Sequence, residues 1–374
     1  MAIGLDEALR VAHNGRERAG GPHSEPDSLS MQALMGSAAD SMPRRQRRGA
    51  ARRASSLGMA SKQPWCGEQA ALVRRAGTLA APTRVSDGPT KGTKMLADFH
   101  VHSAFSDDST YPLDEVCRDA IMRNLDEICF TEHVDYGVKP DFDHPELARI
   151  EEGKPVTNVD YERYFPAVAD ARERYADELT VRCGLEFGIQ RHTIPQFEAV
   201  RKRWGQDLDF IILSIHQVDD QEFWTGDFQR GRSQQEYNDA YYEAMLDVVE
   251  AYQGYSVLGH LDLIKRYDPA GVYPFLKSRD VIAAILERAI ADGKGIEVNT
   301  SSFRYGLHDL QPCTEILELY RDLGGRIVTI GSDSHKPEHL GAYIRRIQRR
   351  LAALGYESFC TFEHGEPHFH KLEE

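Results

Sequence analysis

Two histidines one residue apart, His100 and His102, stand in the stretch Asp98-Phe99-His100-Val101-His102, just after the short apolar run Met95-Leu96-Ala97. In an extended strand, residues i and i+2 point to the same face, so both imidazoles can aim at one point. Neutral imidazole binds zinc, iron and manganese alike. The pair is therefore either one edge of a metal site or two surface histidines, and the remaining chain decides between them.

Ligand-type residues recur at the ends of other short apolar runs: Thr131-Glu132-His133, Gly184-Leu185-Glu186-Phe187-Gly188, Ser214-Ile215-His216, Gly259-His260-Leu261-Asp262 and Gly331-Ser332-Asp333-Ser334-His335. The turn Phe105-Ser106-Asp107-Asp108-Ser109 adds a carboxylate. Any one of these residues taken singly reads as a hydrogen-bonded structural group. Together they supply His100, His102, His133, Glu186, His216, His260, Asp333 and His335, with a carboxylate from the Asp107-Asp108 pair as a ninth donor. Gathering so many ionisable groups is costly unless cations neutralise them. One zinc-like ion takes about four to six donors, so this set suffices for two or three divalent ions, whether Zn, Mn or Fe. A structural zinc site is smaller and closed. The chemistry implied is metal-assisted hydrolysis by a metal-bound hydroxide.

The elements that position these residues alternate. Strands are expected at 96–100, 127–130, 180–185, 210–214, 256–259, 295–298 and 326–330, with helices at 112–123, 161–178, 194–204, 233–252, 279–292, 314–323 and 339–354. Alternation of this kind means a parallel sheet. Seven units in 280 residues fit a (β/α) barrel better than an open sheet, and in such a barrel all strand C-termini share one rim. The first strand is not followed by Gly-x-Gly-x-x-Gly, so a dinucleotide fold is not supported. The long connection 217–235, with Trp224, Arg230 and Arg232, reads as a lid over that rim or as a surface excursion.

The 374 residues carry a net charge of −14, distributed unevenly. Residues 1–94 hold 15 Lys and Arg against 8 Asp and Glu, a charge of +7, which leaves −21 for residues 95–374. An acidic body suits a protein that gathers cations and argues against binding of long nucleic acid. Residues 1–94 are rich in Ala, Arg, Gly and Ser, with Arg44-Arg45-Gln46-Arg47-Arg48, and read as disordered or as preceding a true start at Met95. A targeting or RNA-contacting tail is the other reading. Residues 95–374 form the catalytic domain. The six cysteines include no Cys-x-x-Cys pair and read as buried thiols of a reducing, cytoplasmic compartment. No apolar run approaches the ~20 residues of a membrane span.

The motifs His100-x-His102, Ser106-Asp107, Glu132-His133, Gly184-x-Glu186, Ser214-x-His216, Gly259-His260-x-Asp262 and Gly331-Ser332-Asp333-x-His335 resemble the polymerase and histidinol phosphatase (PHP) superfamily. Gly259-His260-Leu261-Asp262 with Arg266-Tyr267, and Glu297-Val298-Asn299-Thr300-Ser301 with Arg304-Tyr305-Gly306, look like its histidinol-phosphatase branch. The resemblance implies a distorted (β/α)7, TIM-like barrel with a trinuclear metal site at the strand C-termini. It also implies hydrolysis of L-histidinol phosphate to histidinol and phosphate.

Carried over by position, His100, His102, Glu186 and Asp333 would hold a first ion, and Glu186 would bridge to a second on His216 and His260. Asp107, His133 and His335 would hold the third. Alignment on Ser106 and Pro112 favours Asp107, while the neighbouring position would match Asp108. Arg266 and Arg304 are expected to grip the phosphate through forked hydrogen bonds, or else to form salt bridges. Asp107, His335 or a metal-bound water would protonate the leaving oxygen, and Asp262 would orient a ligating histidine. A different small phosphate ester, such as a nucleotide or sugar phosphate, is the alternative substrate. A non-catalytic metal-binding barrel is the alternative of a different class. Oligomeric state is not legible.

Overall fold

The computed structural model describes residues 94–372 apart from Glu152. Lys94 aside, the expected N-terminal extension lies outside the described residues, as does Cys66. Seven strands follow one another: β1 (Ala97–Val101), β2 (Glu127–Val134), β3 (Thr180–Gly188), β4 (Phe210–Ser214), β5 (Val257–Leu258), β6 (Gly295–Asn299) and β7 (Val328–Gly331). Each pairs in parallel with the next in chain order. Helices α1 (Leu113–Met122), α2 (Tyr161–Tyr175), α3 (Ile194–Trp204), α4 (Gln234–Ala251), α5 (Phe275–Ala291), α6 (Thr314–Asp322) and α7 (Ile344–Ala353) flank them. The result is the expected α/β fold, a nearly closed seven-stranded parallel barrel. Its strands are buried almost throughout because helices cover the outside and side chains fill the inside.

The barrel closes between β7 and β1 by a clasp rather than a ladder. Val101 and Ser334 form a single parallel bridge. The His102 amide donates to the Ser334 carbonyl and the Asp333 amide to the His100 carbonyl, both at 2.8 Å. The buried Asp98 carboxylate accepts from the Ser332 and Gly341 amides, each at 2.8 Å. These bonds join two segments that both carry ligand-type side chains.

Several boundaries differ from expectation for local reasons. Strands β2 and β3 run on to Val134 and Gly188, so His133 and Glu186 are directly opposed within a ladder rather than lying beyond strand ends. Helix α5 starts at Phe275, directly after Pro274, which is itself extended (ψ 125°) and so ends the preceding coil at the helix N-terminus. The last helix begins only at Ile344. Tyr343 is left-handed (φ 64°), and Gly341 turns its amide to Asp98 instead of continuing a helix.

A hairpin that periodicity did not reveal follows: β8 (Ser358–Glu363) and β9 (Glu366–Lys371), joined by His364-Gly365. Both turn residues have positive φ, as a tight hairpin requires. It underlies the N-terminal end of β4. There the Gly365 amide donates to the Asp209 carbonyl at 2.9 Å and the Phe362 ring lies 5.0 Å from that of Phe210.

Replacing Asp98 with Ala leaves the buried Ser332 amide and the half-buried Gly341 amide without an acceptor. The expected loss is about 3 kcal/mol of unfolding free energy in urea, with a smaller loss for Asp98→Asn, which keeps one acceptor oxygen. A loss below about 1 kcal/mol for the alanine variant would show that closure does not depend on this carboxylate.

Candidate metal centre

Strand order brings the expected residues to one rim. At its middle lies the Glu186 carboxylate, fully buried on β3. Its Oε2 lies 3.2 Å from His100 Nε2, 3.5 Å from His102 Nε2 and 3.0 Å from His133 Nδ1. Its Oε1 lies 3.1 Å from His216 Nε2 and 2.8 Å from His260 Nε2, and accepts from Ser214 Oγ at 2.7 Å. Asp333 approaches from β7, with Oδ1 3.7 Å from both His100 Nε2 and His102 Nε2. His335 Nε2 and His133 Nε2 are 3.4 Å apart.

The third carboxylate is Asp108. Its Oδ2 lies 3.2 Å from His335 Nε2 and 3.5 Å from His133 Nε2. Asp107 is instead committed to Lys139, whose Nζ donates to Oδ1 at 2.7 Å. This corrects the expectation for the pair: a one-residue step around the turn aims the two carboxylates at different partners.

Groups behind the histidines decide which nitrogen faces inward. Glu297 Oε1 takes His100 Nδ1 at 2.6 Å, and its Oε2 accepts from the His260 amide at 2.8 Å. Asp135 Oδ1 takes His216 Nδ1 at 2.7 Å. Ser106 donates to Glu132 and so accepts from His102 Nδ1 at 3.1 Å. The Asp333 carbonyl takes His335 Nδ1 at 3.0 Å. In each case Nδ1–H is used outward, which leaves the Nε2 lone pair for the centre.

Two glycines make room for these contacts. A Cβ on Gly188 would lie 1.8 Å from Asp135 Oδ1, and one on Gly331 would lie 2.4 Å from Glu297 Oε1. Glu297 and Asp135 were not among the expected site residues. The signal for Asp135 was its place two residues after His133; for Glu297, a lone acid inside an apolar strand.

The remaining expected residues divide. Arg266 lines the cavity, stacks on Tyr305 (4.4 Å), bonds Gln311 Oε1 (2.8 Å) and Ser301 Oγ, and lies 3.2 Å from Asp333 Oδ2. Arg304 does not reach the cavity. Its guanidinium donates to the Ser332 and Asp333 carbonyls at 2.6 and 2.7 Å, bracing Asp333 in its left-handed conformation (φ 56°). Asp262 orients no histidine: its Oδ2 is taken by Lys265 Nζ (2.6 Å) and the Cys313 amide (3.0 Å). In the 217–235 connection only Trp224 of the three named residues lines the cavity. Arg230 pairs with Asp227, and Arg232 lies on the Phe228 ring.

Charge is finely opposed here. Burial disfavours every ion, yet Glu297, Glu186 and Asp333 outweigh it and hold His100 well above the ordinary imidazole pKa. Against the same burial, Glu186 and Asp135 push His216 up to about 9. His102 goes the other way, held well below by burial and by the neighbouring His335, His133 and His100. Nearby imidazoles outweigh burial at Glu186, as imidazoles together with Arg266 and Arg304 do at Asp333, and His335 and His133 hold the half-exposed Asp108 down as well, so all three lie well below the usual carboxylate range.

The donor set suits divalent cations. Buried His100 Nε2, His102 Nε2, His133 Nδ1 and Glu186 Oε2 make no hydrogen bond, an arrangement that ions would satisfy. Close groups of three such side chains, His100-His102-Asp333, His100-Glu186-His260 and His133-Glu186-His216, share members, as a polynuclear centre requires.

Two outcomes follow for metal binding. Ions must displace the His216 proton, so affinity should rise with pH until about 9, with protons released on binding. Calorimetry in two buffers of different ionisation enthalpy measures that release, and affinity flat between pH 6.5 and 9 contradicts it. Asp108→Asn should lower bound metal per chain, whereas Asp107→Asn should not, as read by elemental analysis after dialysis.

A family model described as the PHP domain matches residues 98–301. The histidinol-phosphatase of Lactococcus lactis subsp. lactis (strain IL1403) is 29% identical over 271 residues, covering 71% of this chain and 93% of its own. The probable histidinol-phosphatase of Thermotoga maritima is 29% identical over 263 residues, covering 70% and 94%. Among solved structures, the Lactococcus lactis histidinol phosphate phosphatase complexed with zinc, L-histidinol and phosphate aligns with a TM-score of 0.63 and 27% identity. That alignment covers 74% of this chain and all of the other.

Proposed function

We infer that this chain, which belongs to the PHP domain family, is a phosphoric monoester hydrolase that converts L-histidinol phosphate to L-histidinol and phosphate, a reaction of histidine biosynthesis. The observation that carries the reading is the buried Glu186 carboxylate ringed by five imidazoles, beneath a cavity of about 250 Å³ lined also by Arg266, Lys139 and aromatic residues. A cavity of this size has room for a compact phosphate ester.

Two or three divalent ions would be held by His100, His102, His133, Glu186, His216, His260, Asp333, His335 and Asp108. Bound there, they would act as Lewis acids, activating water and neutralising charge on the phosphate. The chain's own groups do the rest. Glu297, Asp135 and Ser106 fix the imidazole orientations. Arg266, already held by Gln311 and Ser301, presents a guanidinium whose position needs no reorganisation when an anion arrives. Trp224, Leu263, Tyr267 and Tyr305 furnish the walls against which the organic half of the ester would lie and exclude water. Asp107, the other residue expected to protonate the leaving oxygen, has its carboxylate engaged by Lys139. His335 fits that role only while it holds no ion.

Residues 95–374 serve as the catalytic domain, and every residue in this scheme lies between Asp98 and His335. Among the described residues no helix is long and apolar enough to cross a membrane. The five described cysteines are free and buried, which supports a reducing, cytoplasmic setting.

The test is phosphate release from histidinol phosphate, nucleoside monophosphates and p-nitrophenyl phosphate, with protein reconstituted in Mn or Zn. Histidinol phosphate should be preferred, and His216→Ala should remove most activity while the barrel stays folded by circular dichroism. Equal, low rates on all three esters would sink the substrate assignment and favour a PHP enzyme of other specificity.

A further inference from the structure

Lys139 lies in the connection after β2, outside every motif that pointed to the site. Its side chain is only 6% exposed, yet it lines the cavity. Its backbone is anchored at both ends: the amide donates to the Asp135 carbonyl at 2.9 Å, and the carbonyl accepts from Asn158 at 3.3 Å. The ammonium reaches Asp107 Oδ1 at 2.7 Å and Asp135 Oδ2 at 3.0 Å. An ammonium has three N–H donors. Two are engaged and one remains, on a group that borders the cavity.

The charge balance of this wall needs that cation. Asp107, Asp108 and Asp135 all border the cavity, and a phosphate dianion seated over the ligand cluster must lie beside them. On the Asp333 side, Arg266 supplies positive charge. On the His216 side the corresponding charge is Lys139, joined to His216 through Asp135. The two cations thus stand next to different members of the cluster. Arg149, the other cation of the cavity lining, stands at a more exposed position and is already paired with Glu151 and Glu222. Arg304, expected from the sequence to grip phosphate, is spent on backbone carbonyls.

We propose that Lys139 is the second cationic contact for the phosphate group of the substrate, donating its remaining N–H to a phosphate oxygen from the side of the cavity held by Asp107 and Asp135. This rests on the phosphatase reading for its substrate class. The ordinary alternative is that Lys139 serves only as counter-ion to Asp107 and Asp135. The two differ in what they do to phosphate and to metal. A phosphate contact sets anion affinity, whereas a counter-ion supports His216 and so sets metal occupancy.

The experiment is calorimetric binding of inorganic phosphate to the full chain reconstituted with Mn, in wild type, Lys139→Met, Lys139→Gln and Lys139→Arg. Loss of one charged hydrogen bond should weaken phosphate binding by about tenfold to hundredfold in the Met variant. Bound metal per chain and affinity for L-histidinol should stay at wild-type values, and Lys139→Arg should recover most of the loss. In turnover, KM for histidinol phosphate should rise more than kcat falls. Lys139→Gln keeps an N–H for Asp107 and supplies the measurement if the Met variant does not fold. Unchanged phosphate affinity, or weaker binding that comes with loss of a metal equivalent, overturns the proposal. Wild-type protein that binds phosphate but releases none from histidinol phosphate defeats only the substrate reading, because the binding measurement needs no turnover.

Discussion

A carboxylate buried among five imidazoles is the constraint on which this molecule depends. Glu186 has no exposure to water, and each of its oxygens has nitrogen neighbours on several strands. An isolated charge so placed would cost several kcal/mol. It is tolerated because the neighbouring histidines share its charge and because cations can replace their protons. Parallel strands in chain order are the means: β1 and β2, together with the segments after β4 and β5, each bring one or two of those nitrogens to the carboxylate that β3 carries.

Holding that arrangement takes a further ring of residues. Glu297 engages a histidine side chain on β1 and the backbone of the segment after β5, so one buried acid ties together two suppliers of ligands. Asp135 does the same for His216, and Arg304 clamps the turn that carries Asp333. The glycines at 188 and 331 belong to this ring by subtraction, since any side chain there would occupy the space of Asp135 or Glu297. The barrel clasp at Asp98 is continuous with it: the amide it binds at Ser332 directly precedes Asp333. Fold closure and site geometry are therefore one problem, solved by the same few contacts.

Much of this was legible beforehand. Seven short apolar runs, each followed by a helical period, located all seven strands, because the helices cover the barrel's outer face and make every strand read as a buried run. The ligand residues stood out because ionisable side chains directly after apolar strands are costly without a partner. The hairpin at 358–371 was not legible. Its strands are short, β9 is largely exposed, and only the His364-Gly365 turn marked it. The start of α7 was obscured because the helical pattern continues back across Gly341, whose amide is instead needed by Asp98.

The sequence by itself determined the chemistry of the site: which side-chain types gather, in what order along the chain, and on which rim. A parallel barrel places all strand C-termini together whatever the loops do. Only the tertiary structure decided the partners. Asp108 faces the histidines while Asp107 faces Lys139; Arg266 borders the cavity while Arg304 braces a turn; Glu297 and Asp135, rather than Asp262, orient imidazoles. These choices turn on contacts between residues 28 to 227 positions apart, and local spacing along a chain carries no information at that range.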